Sequence, residues 1–474
     1  MGKTPVTVSQ EELLRQQEYS QRIHQYYQEK LGRAPVACTD TYGCQQNESD
    51  SEILRGMMAQ MGFTFTHEPE EADLVLFNTC AVREHAEMRV YGNVGALVHQ
   101  KRRNPDLIVA VCGCMAQQER VAEKIKKSFP VVDLLFGTHV LYKFPELLWR
   151  RLEGGKRVFD ISGDASGVIL EGVEPNRDRS VKAWLPIMYG CDNFCSYCIV
   201  PYVRGRERSR EPEQIIGEFR SLLAAGARDI TLLGQNVNSY GKNTQAGWDF
   251  ADLLDRLCQE EGEFLIRFMT SHPKDASEKL FQVMAKNPKA AKHLHLPFQS
   301  GSSRVLREMN RSYNREQYLE LIDLARKYMP DVTLSSDVIV GFPNETQEEF
   351  EETLSLIEKV RFDNLFTFIY SKREGTVAAK IDDKVTMEEK KRRFQQLLEV
   401  QNRIANEQNA LLVGQTMTVL VDGVGQDEEY PLTARTQGQK LLRLKGAGEG
   451  RIGQFVQAKV TKHTTWSLFG EIQD

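Results

Sequence analysis

The densest chemistry in the chain is Cys191-Asp-Asn-Phe-Cys195-Ser-Tyr-Cys198, three thiols within eight residues. Thiolates are soft ligands and suit zinc or iron–sulfur centres. A structural zinc site takes four protein ligands, yet no further Cys or His lies within 50 residues on either side. Three thiolates on a four-iron cluster would leave one iron open to a substrate. A zinc loop with a remote fourth ligand is the competing reading.

Cys44, Cys80 and Cys114 form a second, dispersed set. Their contexts are Thr41-Tyr-Gly-Cys44, Phe77-Asn-Thr-Cys80 and Cys112-Gly-Cys114, each following a short apolar run. Loops that follow parallel strands converge at one sheet edge, so these three thiols could meet there. Cysteine is also a common buried residue. Cys38 and Cys112, inside their runs, are assigned to the core, and Cys258 to helix packing.

The elements that must position these thiols read as α/β. Runs at 36–38, 73–78, 107–112 and 132–137 alternate with helical stretches at 48–62, 83–102 and 116–128, which predicts a parallel sheet domain over 34–150. Residues 1–33 are polar and helix-prone and read as an extension. Residues 151–180, with Gly154-Gly155, Gly163 and Gly167, read as a linker. Six strand-like runs between 181 and 370 predict a partial (β/α)6 barrel, about three quarters of a full eightfold one. A long helix over 386–412 closes this core, placed at 181–410. Short β runs at 416–421, 440–444, 455–462 and 464–469 predict a small all-β barrel over 411–474.

Composition limits the alternatives. The 474 residues are 41% hydrophobic and 27% charged, which suits a folded chain of several domains. There is no apolar run long enough for a membrane span. The start, Met1-Gly-Lys-Thr-Pro-Val6, has neither a signal core nor a myristoylation pattern, so a cytoplasmic monomer is expected. There, nine cysteines are not a disulfide framework. A net charge of −5 leaves nucleic-acid contact to local basic patches.

The Cys191/Cys195/Cys198 loop, with an aromatic before its third cysteine, resembles the signature of the radical S-adenosylmethionine (SAM) superfamily. Thr41-Tyr-Gly-Cys44-Gln-Gln-Asn-Glu-Ser-Asp-Ser-Glu52, Asn78-Thr-Cys80-Ala-Val-Arg-Glu-His-Ala-Glu87 and Gly113-Cys114-Met-Ala-Gln117 resemble the methylthiotransferases. This resemblance runs from about 35 to 474. The C-terminal piece looks like a TRAM domain, a small RNA-binding barrel, and Thr433-Ala-Arg435-Thr436 resembles that domain's turn motif. Its seven Lys and Arg equal its seven Asp and Glu, so net charge adds nothing to that inference.

The resemblance implies two [4Fe-4S] clusters, one on each cysteine set. One SAM methylates a sulfur on the Cys44/Cys80/Cys114 cluster. A second SAM, on the open iron of the other cluster, is cleaved to a 5′-deoxyadenosyl radical that activates C2–H of an adenosine. An aromatic C–H resists acid–base chemistry, so the difficulty passes to a cofactor. The motif forms favour isopentenylated adenosine-37 of tRNA as substrate. Threonylcarbamoyl-adenosine or a ribosomal-protein aspartate is the alternative, and a non-catalytic iron–sulfur RNA-binding protein a distant third. Tyr197, Gln235, Asn236, Gln299 and Asp337 are candidate SAM or substrate contacts, against loop capping as the plain reading. Arg204, Arg206, Arg208 and Arg210 alternate, and would present one face to RNA if that segment is extended. Arg435 is a further RNA candidate. His272, His293 and His295 are expected to pack, not to ligate. Implied partners are the tRNA anticodon stem-loop, a low-potential donor such as a flavodoxin or ferredoxin, and a cluster-repair or sulfur-supply protein.

Overall fold

The computed structural model describes residues 6–81, 84–163, 168–177, 181–446 and 448–473. Val82 and Arg83 of the second cysteine motif, residues 1–5, and positions 164–167 and 178–180 of the expected linker lie outside the described residues. The chain forms two compact units. The first comprises residues up to 178 with 188–192 and 199–210, and the second comprises 179–187, 193–198 and 211–474.

The first unit is built on a six-stranded, all-parallel sheet in the order Thr64–Thr66, Val36–Tyr42, Leu74–Thr79, Ile108–Gly113, Leu134–Phe136, Val158–Asp160. The two central strands are buried at every position, because helices cover both faces of a parallel sheet. Alternation sorts their side chains. Leu74, Leu76, Ile108 and Ala110 enter one core with Leu54, Met58 and Phe144. Val75, Phe77, Val109 and Val111 enter another with Val90 and Val94. Cys112 and Cys38 lie in these cores.

Two expectations are corrected here. The N-terminal segment is not a mere extension. Helix Gln10–Leu31, capped by Ser9, buries Ile23 and Tyr27 in the first of these cores. The segment from 151 is not simply a linker either, since Val158–Asp160 pairs with Leu134–Phe136 as the sixth strand.

In the second unit six parallel strands follow one another, as Lys182–Pro186, Asp229–Leu233 and Leu265–Phe268, then His293–His295, Thr333–Val340 and Asn364–Ile369. A parallel bridge between Ile266 and Ala290 links the two triplets. This is the expected partial barrel. Helix Met387–Ala410 follows, capped by Thr386. Five strands, Thr416–Val424, Leu432–Thr436, Leu441–Lys445, Phe455–His463 and Leu468–Gln473, then close a barrel. The segment 433–436 is thus a strand, not a turn. Buried Arg267 pairs with Asp229 at 2.9 Å and donates to the Gln437 and Thr436 carbonyls, tying the small barrel to the large one. Among the described residues no helix is long and apolar enough to cross a membrane.

Candidate active site

In the first unit Cys44, Cys80 and Cys114 each follow one of three adjacent strands, those ending at Tyr42, Thr79 and Gly113. Asn47 and Asn78 fasten the Cys44 and Cys80 loops to each other. Asn47 Nδ2 donates to Asn78 Oδ1 at 3.1 Å and to the Thr79 carbonyl at 3.2 Å. Asn78 Nδ2 donates to the Asn47 carbonyl at 2.8 Å and Ser51 Oγ at 2.9 Å. Cys44 Sγ lies 3.3 Å from Asn47 Oδ1. Gly113, at φ 94°, brings the third loop in, and a Cβ there would sit 2.3 Å from Asn78 Oδ1. Both asparagines lie within motifs legible in the sequence, but their fastening role required the fold.

Cys80 and Cys114 are buried and Cys44 is exposed. Burial pushes the Cys114 thiol up to about 12; neighbouring Cys44 and Cys80 add to this, while Arg204 opposes it. Among the described residues no three Cys, His, Asp or Glu side chains converge tightly enough for a single ion. A multi-iron cluster places each thiolate on a separate iron, so its sulfurs stand wider apart. Three thiols on adjacent loops could hold such a cluster, one on each of three irons.

The arginine expectation is corrected. Val200–Arg204 is helical and Gly205, at φ 75°, ends it, so the four guanidinia do not alternate along an extended chain. Arg204, Arg208 and Arg210 are buried. Arg204 Nε donates to Cys114 Sγ at 3.1 Å, and Arg210 pairs with Glu171 at 2.6 Å. Arg208 donates to the Arg204 and Arg206 carbonyls, and burial draws its pKa down to about 10. Only Arg206 points outward, beside Asp192. In the same unit Cys191 N–H donates to the Gly205 carbonyl at 3.2 Å.

Cys195 and Cys198 belong to the second unit. The Cys198 N–H donates to the Cys195 carbonyl at 2.9 Å, and Phe194 adopts φ 46°. Ser196 anchors the loop, its N–H donating to the Met309 carbonyl at 3.0 Å and its hydroxyl to that of Glu308 at 2.8 Å. Arg311, missed in the sequence, donates through Nη1 to Cys195 Sγ at 3.3 Å and through Nη2 to the Pro297 carbonyl at 3.0 Å. Tyr197 packs against the Val305, Met309 and Phe342 cluster with Ile339.

Of the other candidates, Gln235 and Asn236 follow strand Asp229–Leu233, Gln299 lies on the loop after His293–His295, and Asp337 is within strand Thr333–Val340. Asn236 Nδ2 donates to Asp275 at 2.8 Å. Gln299, at φ 65°, exchanges backbone bonds with Asp337 and Ile339. Asp337 Oδ1 lies 3.5 Å from His295 Nε2. Gln235 Oε1, Asn236 Oδ1, both polar atoms of Asn238 and Ser271 Oγ are buried without a hydrogen-bond partner. These orphaned groups, on the loops after the second and third strands, suit a polar ligand such as the amino-acid moiety of SAM. Asn238 and Ser271 carried no signal that set them apart from ordinary loop residues. His293 and His295 both bond Ser335 Oγ at 2.8 Å, and His272 accepts from the Lys274 N–H, so all three are structural partners. In the small barrel Arg435, half-buried, bonds Asp422 at 3.2 Å, while Trp466 is exposed.

Residues 185–357 match the radical SAM superfamily, 37–137 the uncharacterized protein family UPF0004, and 410–472 the TRAM domain. The tRNA-2-methylthio-N(6)-dimethylallyladenosine synthase of Acetivibrio thermocellus is 50% identical over 470 residues, covering 98% of each chain. The proteins of that name from Thermoanaerobacter sp. and Clostridioides difficile are 48% and 46% identical, covering 99% and 98% of this chain and 98% of each relative. Among solved structures, the radical SAM methyltransferase TsrM from Kitasatospora setae superposes with a TM-score of 0.54 at 14% identity, covering 73% of this chain and 77% of that one. The radical enzyme OxsB reaches 0.51 at 14% identity, over 78% of this chain and 56% of its own. These two share the fold alone. Near-half identity along almost the whole length goes further, and the chain belongs to the tRNA-2-methylthio-N(6)-dimethylallyladenosine synthase family of the radical SAM superfamily.

Proposed function

We infer that the protein converts N6-dimethylallyladenosine in tRNA, at position 37, to its 2-methylthio derivative, using SAM and two [4Fe-4S] clusters. The observation that carries this is the gathering of Cys44, Cys80 and Cys114 on loops after three adjacent parallel strands, in a chain that also holds the CxxxCxxC loop. A radical SAM enzyme that only abstracts hydrogen has no need of the second set. Cys44, Cys80 and Cys114 would hold one cluster, and Cys191, Cys195 and Cys198 the other. When bound, the latter supplies the electron that cleaves SAM to a 5′-deoxyadenosyl radical, and the former supplies sulfur.

The chain's own residues bind and orient. Gln235, Asn236, Asn238 and Ser271 offer unsatisfied polar atoms to SAM. Arg311 fixes the Cys195 sulfur, and Tyr197 braces the loop between Cys195 and Cys198. Phe366 and Phe368 favour the dimethylallyl substrate over a threonylcarbamoyl one. Both rings are exposed, on strand positions paired with Asp337 and Ile339. They offer an apolar surface to the dimethylallyl group. The TRAM barrel, with exposed Trp466, supports tRNA contact, since an exposed ring can stack on a base. A low-potential flavodoxin or ferredoxin as donor, a sulfur-supply protein and a cytoplasmic setting complete the reading.

The test is anaerobic reconstitution with iron and sulfide counting and Mössbauer spectra, followed by assay on dimethylallylated tRNA. Two clusters in the wild type, one in the Cys191/Cys195/Cys198→Ala variant, and 2-methylthio product from the wild type are expected. A wild type with a single cluster, lost in that variant, would remove the sulfur source and the assignment.

A further inference from the structure

Arg204 is only 6% exposed, and nothing in the inferred reaction yet uses it. Its guanidinium is divided between two anion-forming groups. Nε donates to Cys114 Sγ at 3.1 Å, and Nη1 meets Asp50 Oδ2 at 2.7 Å. Asp50, on helix Gln45–Gln60, is itself 4% exposed. Nη2 is buried without a hydrogen-bond partner. The Arg204 carbonyl is held in turn by Arg208 Nη1 at 3.2 Å. A buried cation is costly unless matched by negative charge. Asp50 alone would neutralise it, and a plain ion pair would turn the fork fully onto the carboxylate. Instead Nε is aimed at sulfur, and Nη2 is left over.

We propose that Arg204, oriented by Asp50, is a positioning residue that holds Cys114 as a cluster thiolate and offsets the charge of the cluster on Cys44, Cys80 and Cys114. This rests on the reading of those three cysteines as ligands. Hydrogen bonds to ligand sulfurs and nearby charge are among the levers that set iron–sulfur potentials. A cation bonded to a ligand sulfur stabilises the more negative, reduced cluster. Removing it lowers the midpoint potential and loosens the Cys114 ligand.

The test uses the full-length Cys191/Cys195/Cys198→Ala chain, in which only the cluster in question remains, and adds Arg204→Gln or Arg204→Lys. Iron per chain, a redox titration followed by electron paramagnetic resonance and far-UV circular dichroism are read together. Arg204→Gln is expected to shift the one-electron reduction equilibrium at least tenfold toward the oxidised cluster, ~59 mV. Arg204→Lys, which keeps the charge and loses the fork, is expected to fall between parent and Gln variant. Unchanged iron and midpoint in Arg204→Gln would overturn the proposal. Should the Gln variant hold no cluster, restored loading in Arg204→Lys supports it. Two equally empty variants, or loss of the fold in both, mark a purely structural residue and overturn it. A parent that holds no cluster overturns the ligand reading itself, and this proposal with it.

Discussion

Asn47 and Asn78 bond each other across the loops that carry Cys44 and Cys80. One bond joins their side chains at 3.1 Å, and the other runs from Asn78 Nδ2 to the Asn47 carbonyl at 2.8 Å. Both residues are buried completely. Asn78→Ala removes the bonds to Asn47 and Ser51, while Asn47 keeps the Thr79 carbonyl and Ser51 keeps the Thr41 hydroxyl. The expected cost is about 1–3 kcal/mol, from the lost buried hydrogen bonds. Anaerobic denaturant titration checks the stability, and iron counting in the Cys191/Cys195/Cys198→Ala background checks the site. Wild-type stability with full iron would show that the asparagine pair does not hold the loops.

Cys44 is the exposed member of its set, so its loss disturbs no core. Cys44→Ala is expected to spare 5′-deoxyadenosine formation and abolish 2-methylthio product. Chromatography of both products from one reaction decides it. Full methylthiolation by this variant would remove Cys44 from the sulfur-donating site.

The cysteine loops were legible because thiol spacing and position after apolar runs are one-dimensional signals. Other features were not. Helix Gln10–Leu31 buries only Gln16, Ser20, Ile23 and Tyr27, and two of these are polar, so its inner face does not read as apolar. Strand Val158–Asp160 is three residues long and only partly buried, too short for alternation to register. The arginine series misled for two reasons: Arg204 ends a helical turn before Gly205, where period two does not apply, and Arg208 and Arg210, at strand Arg208–Ser209, are buried. Arg311 lies 116 positions from Cys195, a contact that only the folded partial barrel creates.

Arg311 is buried and shares its guanidinium between Cys195 Sγ, the Pro297 carbonyl and the Tyr313 hydroxyl. Arg311→Gln is expected to slow reductive SAM cleavage at least about tenfold, because the sulfur loses a charge-assisted bond worth about 1.5–3 kcal/mol. Release of 5′-deoxyadenosine under dithionite measures it. A wild-type rate would show that the contact is packing only.

Acid sensitivity should come partly from the barrel histidines. Burial, with His295 and Arg267 nearby, pushes His293 down to about 3, and burial beside Arg311 pushes His272 to about 2. Both stay neutral when folded but take up protons near their ordinary pKa once unfolded. Between pH ~6.5 and ~3 the unfolded chain therefore binds more protons, and stability falls as pH falls. The slope approaches roughly 1.4 kcal/mol per pH unit for each histidine. Thermal unfolding of wild type and His293→Asn between pH 7 and 5 checks the sign. An equal or steeper decline in the variant would exclude His293 as a source.

Phe366 and Phe368 bear on the choice of substrate. They are 41% and 43% exposed, although Leu365 between the barrel and its helices is buried. Cross-strand pairing puts Phe366 beside Asp337 and Phe368 beside Ile339, and the His295 ring meets Phe366 edge-on at 5.6 Å. Ile339 and Tyr197, the latter next to Cys198, pack against the same buried cluster. A dimethylallyl group against these half-exposed rings gains at least what one buried methylene gains, about 1–3 kcal/mol, or roughly 10–200-fold. The Phe366→Ser, Phe368→Ser double variant is therefore expected to lose about that factor in kcat/KM on a dimethylallylated anticodon stem-loop. Its residual kcat/KM on the unprenylated stem-loop supplies the control, because discrimination is the ratio of the two values. If the ratio is unchanged, the rings do not read the dimethylallyl group. If it collapses while the unprenylated value stays constant, they are the surface that selects it.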